Sequence, residues 1–254
     1  MKTKIFSTLI AIAIIVSLTG CVNINYGGGG GGISGKGEIV TKTYALDTAG
    51  DYTGLTIKIA AELHLTDDDS DTMTIKLYEN WADLLNVDIT GNGVMIDSDK
   101  NFRINVNNSK KNLPQIFIPA SKLESLNVLG IVTIADTNTV IAGESFAITM
   151  SGVASGKINL DVQELDVFIT GVGDLALSGT AESATIYSSG VGSLKAFGLI
   201  TQSADITISG VGSVELHCVE KLNARLTGVG SISYKGNPSV TQKRTGVGSI
   251  RNVE

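Results

Sequence analysis

Carboxylates, two histidines and two cysteines are the residues of this chain that could do chemistry, and their spacing limits what that chemistry can be. Asp161, Glu164 and Asp166 stand close enough in sequence to supply a general acid and a general base. Enzymes that cut polysaccharides on stacked β-layers, however, gather their carboxylates from neighbouring layers. Here the equivalent position carries Asp174 once and then Ser193, Ser213, Ser231 and Ser249. The acidic trio therefore reads as a solvated turn, and no catalytic residue is expected. Asp67, Asp69 and Asp71 have the opening spacing of a helix-loop-helix calcium site, but Thr72 replaces the glycine that the turn needs and Tyr78 replaces the bidentate glutamate. His64 and His217 are too few for zinc without paired cysteines. Gly30 to Gly37 approach a phosphate-binding loop, yet Gly37 follows Lys36 where a magnesium-binding Ser or Thr belongs. No metal and no cofactor are expected.

The cysteines point elsewhere. Lys2 and Lys4 precede an apolar stretch, residues 5–18, which has the form of a secretory signal and is shorter than the ~20 residues a helix needs to span a bilayer. Leu18-Thr19-Gly20-Cys21 ends it. This motif resembles the lipobox of bacterial lipoproteins, which implies cleavage between Gly20 and Cys21 and a diacylglycerol on the Cys21 thiol. A membrane partner reached through the lipid follows, since each buried methylene contributes ~0.8 kcal/mol. Cys218 then lacks a disulfide partner and lies in Glu215-Leu216-His217-Cys218-Val219, so it is read as a small buried apolar residue. Removing residues 1–20 leaves 17 basic and 25 acidic residues, a balance of −8. Nucleic acid is excluded as a partner by that charge.

These ends must be joined to a body. Six glycines, Gly27 to Gly32, make residues 21–36 a tether. Residues 37–125 alternate apolar and polar side chains irregularly, as in Leu55, Ile57 and Ile59 or Val94 and Ile96, with turn residues at Asp67–Asp71, Gly91-Asn92-Gly93 and Asn107-Asn108-Ser109. One helical turn is expected near Trp81, which has a core or boundary role.

Residues 126–254 are regular. A small residue, Gly, Val, Gly, Ser and an apolar residue recur, with first glycines at Gly152, Gly171, Gly190, Gly210, Gly228 and Gly246, in steps of 19, 19, 20, 18 and 18. A period of that length marks a solenoid. Four residues before the glycine stand Ile148, Val167, Ile186, Ile206 and Ala224; two before it stand Met150, Ile169, Ser188, Ile208 and Leu226. Beyond it, Leu175, Leu194, Val214 and Ile232 form another apolar column. The pairs Gly171 and Gly173, Gly190 and Gly192, Gly210 and Gly212, Gly228 and Gly230, and Gly246 and Gly248 are the expected structural corners. One coil cannot offset the entropy of its own ordering, but stacked coils share their buried faces and complete each other's backbone ladders. The fold class is therefore all-β: a β-solenoid, or β-helix, with about two strands per coil. Gln242 and Arg244 break the apolar columns in the last copy, as a polar cap on an exposed edge would. A basic site at Lys243-Arg244 is the alternative.

Gly35-Lys36-Gly37-Glu38-Ile39-Val40, the Gly-Val-Gly-Ser repeats and Tyr234-Lys235-Gly236-Asn237-Pro238 together resemble the head GIN domain of auto-transporter adhesins of bacterial envelopes, over roughly residues 35–253. The resemblance implies a β-helical body on a lipoprotein or surface protein, and brings no catalytic residues with it. Many relatives carry Ser-Gly-Gly-Ser at the corner where this chain has Gly-Val-Gly-Ser. The expected function is a lipid-anchored envelope protein presenting a binding or adhesion module to a glycan or protein. A carbohydrate-active enzyme and a structural spacer are the alternatives. The candidate ligand face is the outward column three residues before each corner, Phe168, Tyr187, Thr207 and Arg225, in which Phe168 and Tyr187 could stack on sugar rings or simply support the sheet.

Overall fold

Alternation of apolar and polar side chains along most of the chain makes strands the natural state, because each strand can then turn one row inward. The computed structural model describes residues 32–46, 52–91, 93–99, 104, 113–136 and 138–254. The signal sequence, the Gly20-Cys21 cleavage site, the glycines of the tether before Gly32 and the Asn107-Asn108-Ser109 turn lie outside the described residues. The irregular part contains β1 (Ile39–Ala45), β2 (Gly54–Ile57), β3 (Ala60–Thr66), β4 (Thr72–Tyr78), the one-turn helix α1 (Glu79–Ala82), β5 (Leu85–Thr90), β6 (Gly93–Ser98), β7 (Gln115–Pro119), β8 (Ser125–Val128) and β9 (Ile131–Ile134). The repetitive part contains β10 (Val140–Met150), β11 (Val153–Ile169), β12 (Val172–Ser188), β13 (Val191–Ile208), β14 (Val211–Leu226), β15 (Val229–Lys235), β16 (Ser239–Arg244) and β17 (Val247–Asn252).

These strands form a β-solenoid. Between successive corners a single long strand wraps around one coil, and it pairs in parallel with the coils before and after it. Besides the two flanks of the corner there is a third ladder, in which Val140–Gly143 pair with Asn159–Val162, and these with Ser178–Ala181. The inward column four residues before the corner runs Val94, Leu55, Leu126, Ile148, Val167, Ile186, Ile206, Ala224, Gln242 by direct register. All but the last are buried, which makes one continuous core along the stack. Stacking extends further toward the amino terminus than the glycine motif does, since Gly130 occupies the corner of one earlier coil and Lys58-Ile59 that of another.

At the amino-terminal end the parallel order is broken. β7 lies beside β3 in parallel, but β4 pairs antiparallel with β7, β1 antiparallel with β4, and β5 antiparallel with β6. α1 holds Trp81 fully buried, and the indole N–H donates to the Ile33 carbonyl at 3.1 Å. Asn80 accepts the Lys36 N–H at 2.8 Å and donates to the Ser34 carbonyl at 3.0 Å, so residues 33–36 run along α1.

Candidate functional site

The corner determines which residues reach the surface. The N–H groups of Thr170 and Gly171 both donate to the Met150 carbonyl at 2.9 Å, and the Val172 N–H donates to that of Gly152 at 2.9 Å. The same pattern recurs at Ser189-Gly190-Val191, Ser209-Gly210-Val211, Thr227-Gly228-Val229 and Thr245-Gly246-Val247. Converging donors draw each coil tightly onto its neighbour. A methyl group on Gly171 would lie 2.0 Å from the Gly152 oxygen, and Gly190, Gly210, Gly228 and Gly246 sit as close to the coil below. The second glycine adds a conformational demand: Gly192 has φ 149°, and a methyl there would lie 1.8 Å from the Gly173 oxygen. Gly173, Gly212, Gly230 and Gly248 make equally close approaches. The valine between the glycines points out, and Val172, Val191, Val211 and Val229 are each about half exposed (50–51%). That ridge is one side chain wide, because glycine flanks every valine.

The flank before the corner presents a broader face. Register places Phe168 directly beside Tyr187, Tyr187 beside Thr207, Thr207 beside Arg225 and Arg225 beside Lys243. Phe168 is partly buried and Tyr187 is 38% exposed, with its hydroxyl 3.4 Å from that of Ser209. The neighbouring column on the same face reads Asp166, Thr185, Asp205, Asn223, Thr241. Near the carboxyl-terminal end the two columns line a shallow groove of about 360 Å³. Extending the outward column to the last repeat would have added Lys243 to the candidate face from sequence alone. Its neighbour Arg244 leaves that face and donates to the Gly248 carbonyl at 2.9 Å.

Elsewhere the groups that could do chemistry are separated or engaged. Asp161, Glu164 and Asp166 are exposed, and Asp161 accepts from the Thr180 hydroxyl at 2.6 Å. Asp174 accepts the Ser193 N–H at 3.0 Å and so ties two coils together. His64 stacks on Phe117 at 4.5 Å near the amino-terminal end, far along the stack from His217 on β14. Among the described residues no group of three or more His, Cys, Asp or Glu side chains could hold a metal ion. Cys218 is fully buried beside the Lys221 carbonyl, and burial pushes its thiol pKa up, which disfavours the reactive thiolate. No helix among the described residues is long and apolar enough to cross a membrane.

Stacked coils, glycine corners and outward ladders in parallel register define a parallel β-solenoid protein. Residues 51–238 match the family described as "Putative auto-transporter adhesin, head GIN domain", and the chain belongs to that family. Among solved structures it is similar to a "putative adhesin" from Bacteroides fragilis, with 27% identity and a TM-score of 0.79 over 87% of this chain and 100% of that one. A "putative lipid binding protein" from Parabacteroides distasonis has the same fold at 21% identity and TM-score 0.65, covering 87% of this chain and 99% of that one. So does a "putative adhesin" from Parabacteroides merdae at 20% identity and TM-score 0.59, with coverage of 87% and 99%. No curated protein matches the sequence.

Proposed function

We propose that this chain is a binding module of the bacterial cell envelope, held to a membrane by a lipid on Cys21 and offering the face around Phe168 and Tyr187 to a surface glycan or protein. The observation that carries this reading is the register that puts an aromatic pair on an outward ladder, beside hydroxyl and amide groups able to bind a polar partner. Membership of an adhesin family and similarity to an adhesin structure support an adhesion-like role at the cell surface. Asp174 is the single carboxylate at its position in the repeat, where the other coils carry Ser193, Ser213, Ser231 and Ser249, and it accepts the Ser193 N–H.

Probing glycan and envelope-protein arrays with the purified full chain tests the reading. Capture that weakens with Phe168→Ala and Tyr187→Ala is expected, and absence of any partner across the arrays overturns it. The anchor is tested separately by metabolic acyl labelling: label is expected on the wild type and lost in Cys21→Ala, and label persisting in that variant refutes the assignment.

A further inference from the structure

We infer that the ligand of this face is an anionic polysaccharide, with sugar rings lying on Phe168 and Tyr187 and with carboxylate or sulfate groups meeting Arg225 and Lys243. The inference rests on the binding reading above and names its chemistry.

Ladder stabilisation accounts for only half of the column. Aromatic side chains on paired strands support a sheet, so Phe168 beside Tyr187 needs no ligand. Arg225 beside Lys243 is the opposite case, because like charges on directly paired positions weaken a sheet. Among the described residues neither cation has a hydrogen bond or an ion pair, although acids outnumber bases in the chain by 25 to 19. The nearby carboxylate in the groove, Asp205, accepts instead from the Asn223 amide at 2.6 Å. Two cations in register without an ion pair, with Asp205 as the one carboxylate lining the groove beside them, form a place where a bound anion relieves repulsion and gains charge-assisted hydrogen bonds.

The arrangement also indicates a polymer. Phe168, Tyr187, Thr207, Arg225 and Lys243 point out from five successive coils, with strands ~4.8 Å apart, so the column is a continuous track about 19 Å long. A small anion would occupy only its basic end. Thr207, Asn223 and Thr241 line the groove beside the cations and suit the hydroxyl groups of a sugar. The flat apolar faces of pyranose rings suit the aromatic end.

The test is equilibrium binding of the purified full chain to polygalacturonate and to dextran sulfate. The comparison probes are their uncharged counterparts, methyl-esterified polygalacturonate and dextran, and phosphatidylglycerol vesicles. At least one charged polymer is expected to bind about tenfold or more tightly than its counterpart, and Arg225→Ala with Lys243→Ala is expected to remove that preference. Phe168→Ala with Tyr187→Ala is expected to weaken polymer binding while single galacturonate binds as before. Circular dichroism of each variant confirms that the sheet is intact. Charge-independent binding that still needs Phe168 and Tyr187 overturns the anionic assignment and leaves the binding reading standing. Binding of the vesicles as tight as that of the polymers, with the same need for Arg225 and Lys243, also overturns it and assigns the face to lipid. Binding of none of these probes overturns the inference, and the arrays described above then decide separately whether the face binds at all.

Discussion

At one end of the stack, strands reverse direction over the core; at the other, β16 and β17 continue the coils in the same sense. β4, β1 and β5 run antiparallel at the amino-terminal end, where large buried side chains occur once each: Met73, Ile75 and Leu77 on β4, Trp81 on α1 and Tyr52 just ahead of β2. At the carboxyl-terminal end, β16 and β17 repeat the corner once more, but the inward columns change from Ala224 to Gln242 and from Leu226 to Arg244. One end is covered, the other made polar, and both devices keep an open ladder from recruiting another strand. The difference shows where stability is concentrated. Coils in the middle share their interactions with two neighbours, whereas the amino-terminal cover depends on a few large residues that occur once.

The largest expected effect follows from that concentration. Trp81→Ala removes a fully buried ring, its hydrogen bond to Ile33 and its edge-on contact with Tyr78 at 5.1 Å, and is expected to cost about 3–5 kcal/mol in urea denaturation. A loss no larger than that from an outward Val191→Ala change would break the comparison. In mid-stack the sensitive element is backbone proximity rather than side-chain bulk. Gly192→Ala forces a methyl to within 1.8 Å of the Gly173 oxygen at φ 149°, and is expected to cost about 2–4 kcal/mol. Gly143→Ala, with nothing within 4 Å of the new methyl, is the control and should be close to neutral. Equal melting temperatures for the two variants would refute the close-packed corner.

The same contrast explains what could be read from sequence. In the repetitive half, each glycine marks the place where one coil's backbone meets the next, so the motif gives both the fold and the register that aligns Phe168 with Tyr187 and Arg225. Gly130 escaped the motif because Leu129 and Ile131 flank it. Even so, Leu126, Val128 and Ile134 fill the columns of the later coils, and the apolar spacing alone could have revealed that corner. The amino-terminal cover was not legible in this way. Alternation identifies β1, β4 and β7 as strands, but nothing local says that β7 enters between β3 and β4, or that β1 and β4 pair antiparallel across 26 intervening residues. Those partners are chosen by the shape of the exposed core. The cation pair is hidden for a simpler reason: Lys243 stands beside Arg244 in sequence, whereas its ladder neighbour Arg225 lies a full coil earlier.

Alkaline pH weakens a buried contact of the amino-terminal end at smaller cost. The buried Tyr52 hydroxyl donates to the Pro119 carbonyl at 2.9 Å, and burial pushes its pKa from 10.0 up to about 12. The folded state therefore favours neutral tyrosine. This contribution is fully present below pH 10 and is lost as pH rises through about 12. Tyr52→Phe is expected to cost about 1 kcal/mol at neutral pH and to flatten the stability decline between those values, as followed by hydrogen exchange of β2 and β7. An unchanged alkaline slope would remove Tyr52 from the cover.

The smallest effect has the opposite sign and bears on the polar end. If Arg225 and Lys243 repel one another across paired strands, Lys243→Glu converts a like-charge pair into an attractive one and should raise stability by about 0.2–1 kcal/mol, with the gain shrinking as salt is added. Lys243→Ala should recover part of it. Stability that falls in Lys243→Glu would mean that Lys243 already serves the fold, and the carboxyl-terminal end would then be held by its charges rather than merely shielded by them. A gain in stability accompanied by loss of polyanion binding would show instead that this end trades some of its ladder energy for a ligand.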